Sequence, residues 1–167
     1  MLWRHSIEAR CQNVAMANGT ITGIYIASTE GGEIRSLEAV DAVPGRGLVG
    51  DRYHSRAGDE AEHDPGTEVT LIASEGLQRA QAEKGLELEP GEHRRNLVTE
   101  GIDLDELIGK EFTIGGVRLR GIRNNPPCRY LEELTGKKLV KTLIDAGGVR
   151  AQIVAGGTIK VGDTIAH

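Results

Sequence analysis

Cysteine is scarce in this chain. Cys11 and Cys128 are its two cysteines in 167 residues, and neither a CxxC pair nor a paired-Cys zinc spacing occurs. Two lone thiols exclude a disulfide framework, so a reducing, cytoplasmic compartment is the expectation. Aromatic residues make up 3%, with one Trp and one Phe. Aliphatic side chains must therefore fill the core, and base-stacking platforms lack raw material. No stretch approaches the ~20 apolar residues of a bilayer span, and the N-terminus has no apolar signal core, so no membrane partner is expected. Positive charge is not in excess either. The net charge is −5 and the pI about 5.6, which argues against nucleic acid as a partner.

Glycine is abundant. The 23 glycines are about twice the usual ~7% share, and they punctuate short apolar runs as in a turn-rich β fold. Charge is distributed unevenly. Residues 1–91 carry 8 Lys/Arg against 15 Asp/Glu, whereas residues 92–167 carry 12 against 10. Eleven of those 12 lie between Arg94 and Arg150, on both sides of Cys128. This leaves room for a local anion site within an acidic protein, against the plainer reading of a solvated mixed-charge face.

Residues 1–18 show no clean period and read as an extension, with Met16 an alternative start just before the first strand. Residues 19–167 read as one domain. Strands are predicted at Thr20–Ser28, Ser36–Val43 and Thr67–Ile72. Pro44–Gly66 between them reads as a long, functional loop. Ser74 is placed as the cap of a helix reaching Lys84 and ended by Gly85. Arg95–Thr99 reads as a strand, Asp103–Ile108 as a helical turn, and Glu111–Arg120 as a hairpin about Gly115-Gly116. One or two helical turns are predicted over Cys128–Leu134, a short helix over Leu139–Ile144, and strands over Val149–Val154 and Thr158–Val161. Many short strands with a few small helices predict an α+β, mainly β fold: a partly open β-barrel with helical additions.

Around Cys128 the sequence reads Asn124-Asn125-Pro126-Pro127-Cys128-Arg129-Tyr130. The prolines forbid helix before Cys128 and permit one to start there, with an upstream Asn as cap. A cysteine in a first helical turn, beside Arg123 and Arg129, is favoured as thiolate, the form that attacks electrophiles and binds metals. The plainer alternative is an inert, buried free cysteine.

Several segments, in order, resemble the MOSC family, named for the C-terminal domain of molybdenum-cofactor sulfurases. Gly47-Leu48-Val49-Gly50-Asp51-Arg52-Tyr53-His54 is similar to its GDR-type loop. Thr70-Leu71-Ile72-Ala73-Ser74 is similar to its strand-to-helix Ser, and Arg94-Arg95-Asn96 to its Arg-x-Asn strand. Pro127-Cys128-Arg129 is similar to its signature cysteine. Gly147-Gly148-Val149-Arg150-Ala151 and Gly157-Thr158-Ile159-Lys160-Val161-Gly162-Asp163 close the set. The resemblance implies a MOSC-like barrel and the molybdenum cofactor (molybdopterin) as ligand. It implies Cys128 as catalytic residue and thiolate ligand to molybdenum, and Ser74, Arg94, Asn96 and Arg129 as cofactor-binding residues. Asp51, Arg52 and His54 are further pocket candidates. The function implied is a molybdenum-dependent reductase, for example of N-hydroxylated compounds, served by an electron-donor protein. A sulfur or cofactor carrier using a Cys128 persulfide and fed by a sulfur-donor protein, or a non-catalytic barrel supporting a partner, are the alternatives.

Competing constellations are weaker. Asp51, His54, Asp59, Glu60, His63, Asp64 and His93 could be imagined as a zinc site, but the gap between His54 and His63 matches no usual ligand spacing, and no zinc is expected. Gly45-Arg46-Gly47 lacks a following Gly-Lys-Ser/Thr, so its glycines are assigned to turns. Glu132 and Glu133 are adjacent on a helix and do not face each other.

Overall fold

The computed structural model describes residues 18–56, 64–146 and 148–167. The expected extension, apart from Asn18, lies outside the described residues, as do Cys11, Asp59, Glu60 and His63. Strand β1 (Gly19–Ala27) alternates buried and exposed residues in its first half, as one buried sheet face requires. Its second half, along which β2 (Ile34–Leu37) pairs edge to edge, is buried on both faces apart from the half-buried Tyr25.

Seven strands close into a ring. From β1 the order runs through β11 (Thr164–Ala166), β7 (Glu111–Ile114), β8 (Val117–Asn124), β9 (Val149–Ala155), β5 (Val69–Ala73) and β6 (Leu97–Glu100), and back to β1. Closure through β11 is narrow, resting on Gly19 opposite Ile165 and Thr20 opposite Thr164. The partly open barrel of the sequence reading is thus a ring sealed at one short seam. A second sheet joins β10 (Gly157–Lys160), β3 (Ala39–Val43) and β4 (Gly47–Leu48). The Gly156-Gly157 step therefore does not fold β9 back on itself. It hands the chain from the barrel to the small sheet, where Thr158 pairs with Asp41. The expected strand Ser36–Val43 is divided at Glu38 between the two sheets.

The barrel interior holds Ile21, Leu71, Leu97, Phe112, Leu119, Val149 and Ile165, all nearly inaccessible. Each contributes roughly 1.5–3 kcal/mol of transfer free energy, which compensates for the shortage of aromatics. A smaller apolar cluster joins the helices. Ala80 of α2 (Ser74–Lys84) packs with Leu131 of α3 (Arg129–Thr135) and with Leu139 and Leu143 in and after α4 (Leu139–Thr142). This cluster fixes α3, and so the position of Cys128, against the barrel. Helix α2 is the crossover between β5 and β6, whose pairing is parallel, and Gly85 ends it in a left-handed conformation (φ 65°).

The described parts of the Pro44–Gly66 stretch, expected to be loop, hold regular elements. They are β4, the short helix α1 (Arg52–Arg56) and the start of a 3-10 turn at Pro65–Thr67 capped by Asp64. No helix among the described residues is long and apolar enough to cross a membrane.

Candidate functional site

A cleft of about 580 Å³ opens beside α3, lined by Arg52, Tyr53, Arg94, Arg95, Arg123, Asn125, Cys128, Tyr130 and Arg150, among others. Its volume lies in the range of small-molecule sites, roughly 300–1,000 Å³. Adjoining it is a chamber of about 60 Å³. Arg52, Tyr53, Arg94, Arg95, Asn125 and Arg150 line both spaces, while Asp51, Thr70 and Asn96 line the chamber alone.

Strands β8 and β9 bring two of the arginines together. Arg123 and Arg150 are cross-strand partners next to a bulge that begins at Gly121. Like charges placed opposite each other oppose folding, and bulges re-aim side chains at functional edges. Arg123 is held by Asp64, with Nη2 to Oδ2 at 2.8 Å and Nη1 to Oδ1 at 3.3 Å. That guanidinium holds the Asp64 carboxyl below its ordinary range. Arg150 donates to the Gly66 carbonyl at 3.3 Å.

The segment before β6 supplies two more. The sequence places Arg94 on a strand, but its backbone is left-handed (φ 62°), a conformation no other described non-glycine residue adopts. Such a residue carries local strain that its surroundings must hold. Arg94 Nη2 donates to the Gly32 carbonyl at 2.8 Å, and its Nη1 is buried with no hydrogen-bond partner. Arg95 is almost fully buried and donates to the carbonyls of Asn125 (3.2 Å) and Pro126 (3.3 Å). Proline has no N–H to fix this stretch, so the guanidinium fork and the Asn125 N–H to Gly148 carbonyl bond at 2.9 Å tie down the approach to Cys128. Gly148 adopts φ 94°, and a side chain there would strike the Leu71 carbonyl.

The crowding of cations appears in their proton affinities. Burial, and then the neighbouring Arg150, pulls Arg95 down to about 10, while Cys128 and Tyr53 act to hold its proton. Burial and then Arg52 lower Arg94. Burial also acts to lower Arg52, but its bond to the Tyr53 hydroxyl (3.1 Å) and nearby negative charge outweigh this and raise it. All three stay cationic at neutral pH. Among the described residues neither Arg94 nor Arg150 is paired with a carboxylate. A bound anion would relieve this mutual repulsion, and guanidinium forks suit phosphate.

Cys128 is exposed and unpaired with another thiol. It sits one residue outside α3 rather than in its first turn. Its backbone is extended (φ −132°, ψ 164°), and its carbonyl accepts from the N–H groups of Leu131 and Glu132. Cys128 thus takes the cap position that the sequence reading gave to an asparagine. Asn125 instead is buried and serves the Arg95 and Gly148 contacts.

Of the residues singled out in sequence, Cys128, Arg94 and Arg52 line the cleft, and Asp51 and Asn96 line the chamber. Asn96 is not available to a ligand. Its Oδ1 accepts from Thr70 N (3.0 Å) and Thr70 Oγ1 (3.1 Å), and its Nδ2 donates to Tyr25 O (3.1 Å) and Asp51 Oδ1 (3.5 Å). Ser74, His54 and Arg129 line neither space. Ser74 is the first residue of α2, with Ala73 at the cap, and its Oγ is buried without a partner. Among the described residues no cluster of three or more His, Cys, Asp or Glu could hold a metal ion. His93, buried against Tyr25, accepts the Arg95 N–H at Nδ1 (3.0 Å). Sequence reasoning did not single out Arg95, Arg150 and Tyr130, all of which line the cleft. The signal that could have found the arginines was the run of basic residues flanking Cys128.

The fold and cleft define a small closed β-barrel protein with an arginine-lined recess and a cysteine at its rim. A family model described as MOSC domain matches residues 58–166, and the chain belongs to the MOSC domain family. Among solved structures it is similar to the YUAD protein from Bacillus subtilis, with 18% identity, a TM-score of 0.72, and coverage of 90% of this chain and 96% of that one. It is also similar to YiiM from Geobacillus stearothermophilus (14% identity, TM-score 0.65, 89% and 75% covered) and YiiM from Escherichia coli (15%, 0.61, 88% and 68%). At these identities the likeness shows the fold. No curated protein matches the chain.

Proposed function

We propose that the protein binds the molybdenum cofactor in the arginine cleft, with the Cys128 thiolate as a ligand to molybdenum. The observation that carries this reading is that Cys128 and Arg94 line one cleft together with Arg52, Arg95, Arg123 and Arg150. The donor set fits the group. A pterin cofactor offers a phosphate at one end and a soft metal centre at the other; guanidinium groups suit the first and a thiolate the second. The buried, partnerless Nη1 of Arg94 is a donor waiting for an acceptor.

Bound there, the cofactor would supply a redox-active metal. The reaction class this reading favours is reduction of an N-hydroxylated compound, which consumes two electrons and two protons and releases the amine and water, the electrons coming from a donor protein. The chain's own part is to neutralise the phosphate, hold Cys128 on the Arg95-clamped loop, and present an apolar wall of Tyr130, Leu131 and Leu134 to substrate. Molybdenum and pterin analysis of protein made in a host that synthesises the cofactor tests the proposal. Wild type should retain both, and Arg94→Gln should lose pterin.

The exposure of Cys128 favours a second reading, in which the same thiol carries sulfur as a persulfide or delivers the cofactor. Mass spectrometry of Cys128 after incubation with a sulfur-donor protein would detect the persulfide. That species without retained molybdenum would favour the carrier.

A further inference from the structure

Asp51 is a carboxylate buried among cations, in the floor of a site that should bind anions. It is 4% exposed. Its Oδ1 accepts from Ala27 N (3.1 Å), at the end of β1, and from Asn96 Nδ2 (3.5 Å), before β6. Its Oδ2 accepts from Tyr53 N (3.5 Å), in α1. Asn96 carries the connection onward to Thr70 of β5 and Tyr25 of β1. Three separate pieces of chain therefore meet on one carboxylate, and two of them bear the arginines of the cleft: Arg52 beside Tyr53, and Arg94 and Arg95 beside Asn96.

We infer that Asp51 is a positioning residue for the cleft: it holds the Arg52–Tyr53 turn and the Arg94–Asn96 segment in the one arrangement that aims their guanidinium groups at a shared anion. This deepens the proposed function and rests on its anion-binding half. Burial raises the Asp51 pKa, and the Ala27 and Tyr53 N–H groups and the Arg52 charge oppose that rise. The carboxylate is thus held in place by the elements it organises. Its cost to an anion is the Coulombic repulsion of one negative charge, and its contribution is the geometry of at least three positive ones.

The two effects have opposite signs, which makes the inference testable. Asp51→Asn removes a negative charge next to the cleft, so electrostatics alone predicts tighter anion binding. An amide has a single acceptor atom, so the variant cannot serve both the Ala27 and the Tyr53 N–H groups. The positioning role therefore predicts weaker binding. The experiment is calorimetric titration of the full chain with inorganic pyrophosphate at fixed pH and low salt, for wild type, Asp51→Asn and Asp51→Glu, each first shown by melting to be folded. Asp51→Asn should bind about five-fold or more weakly. Asp51→Glu keeps both acceptors, and the adjoining chamber has room for its extra methylene, so it should recover most of the loss. Unchanged or tighter binding by Asp51→Asn would overturn the positioning role while leaving the anion cleft standing. Failure of the wild type to bind pyrophosphate would overturn both. If Asp51→Asn does not fold, hydrogen exchange on the wild type decides. Saturating pyrophosphate should slow exchange at the Ala27 and Tyr53 amides, because a ligand stabilises the arrangement it selects; unaltered exchange there would overturn the inference.

Discussion

Two recesses of similar size carry opposite charge. The cleft beside Cys128 is lined by five arginines and Glu30. A second recess, of about 460 Å³ beside α2, is lined by Glu75, Asp103, Asp105 and Asp145 with Arg79. No residue lines both. What separates them is how their charges are engaged. In the acidic recess, Glu75 accepts the Gly101 N–H at 2.6 Å, Asp103 caps a 3-10 turn through the Asp105 N–H at 3.0 Å, and Asp145 lies 3.7 Å from Lys84. Each of these three carboxylates meets a partner within the chain, although the second oxygen of Glu75 is buried without one. In the cleft, Arg123 bridges Asp64, whereas Arg150 meets no carboxylate among the described residues and Arg94 has a donor without a partner. Carboxylates engaged by distant parts of the chain or by their own turn stand against guanidinium groups crowded with like charge, whose repulsion a bound anion would relieve. The net charge of −5 averages the two and describes neither.

The comparison can be broken at several points. The largest expected effect is on stability at acid pH, behind the cleft. Burial, then Arg95, holds the His93 pKa down at about 4 against an ordinary 6.5. Between those values the unfolded chain binds the extra proton. Stability is therefore intact above about pH 6.5 and is lost as pH falls toward 4, by up to about 3 kcal/mol at roughly 1.36 kcal/mol per pH unit. Urea unfolding midpoints from pH 7 to 4.5 measure this loss, and His93→Gln should flatten the profile. Asp51 works the other way, since a raised carboxyl pKa costs stability as pH rises.

Next comes the contrast between the recesses themselves. Arg94→Gln or Arg150→Gln should weaken pyrophosphate binding by roughly tenfold or more, the scale of one charge-assisted hydrogen bond. Arg79→Gln in the acidic recess should change it by less than about twofold. Equal effects at the two recesses would dissolve the distinction. The smallest effect is at the rim. Asp64 and Arg123 are each about half exposed, so their bridge contributes less than about 1 kcal/mol. Asp64→Asn should release Arg123 to the ligand and tighten pyrophosphate binding about twofold, with stability nearly unchanged.

Much of this architecture was legible in the sequence, and the gaps have physical causes. Alternating apolar residues located β1, β7 and β8, and helix α2 ends at Gly85 as read, because a left-handed cap needs glycine. The strands at Val149–Val154 and Thr158–Val161 were legible but their partners were not, because pairing is set by non-local register: the second of them, β10, pairs with β3. Arg94 was read as strand because nothing in its neighbours signals φ 62°; the strain is held by tertiary contacts such as the Gly32 carbonyl. Asn96 was read as a ligand contact because its motif names the residue and not its hydrogen-bond partners, all of which lie in the protein. Ser74 was read as the helix cap, yet the helix begins with it and Ala73 takes the cap, and its buried hydroxyl lines neither the cleft nor the chamber. Cys128 was singled out by the prolines before it together with its resemblance to the family's signature cysteine, whereas the buried Arg95 that fastens the Asn125 and Pro126 carbonyls needed three dimensions.

The central claim is that the arginine cleft and Cys128 form one cofactor site. Its most direct test is metal and pterin analysis of purified wild type and Cys128→Ser, both made in a host that synthesises the molybdenum cofactor. The account predicts molybdenum and pterin in comparable amounts in the wild type, and molybdenum lost from Cys128→Ser. A wild type without molybdenum, or a Cys128→Ser variant that retains as much as the wild type, would contradict it.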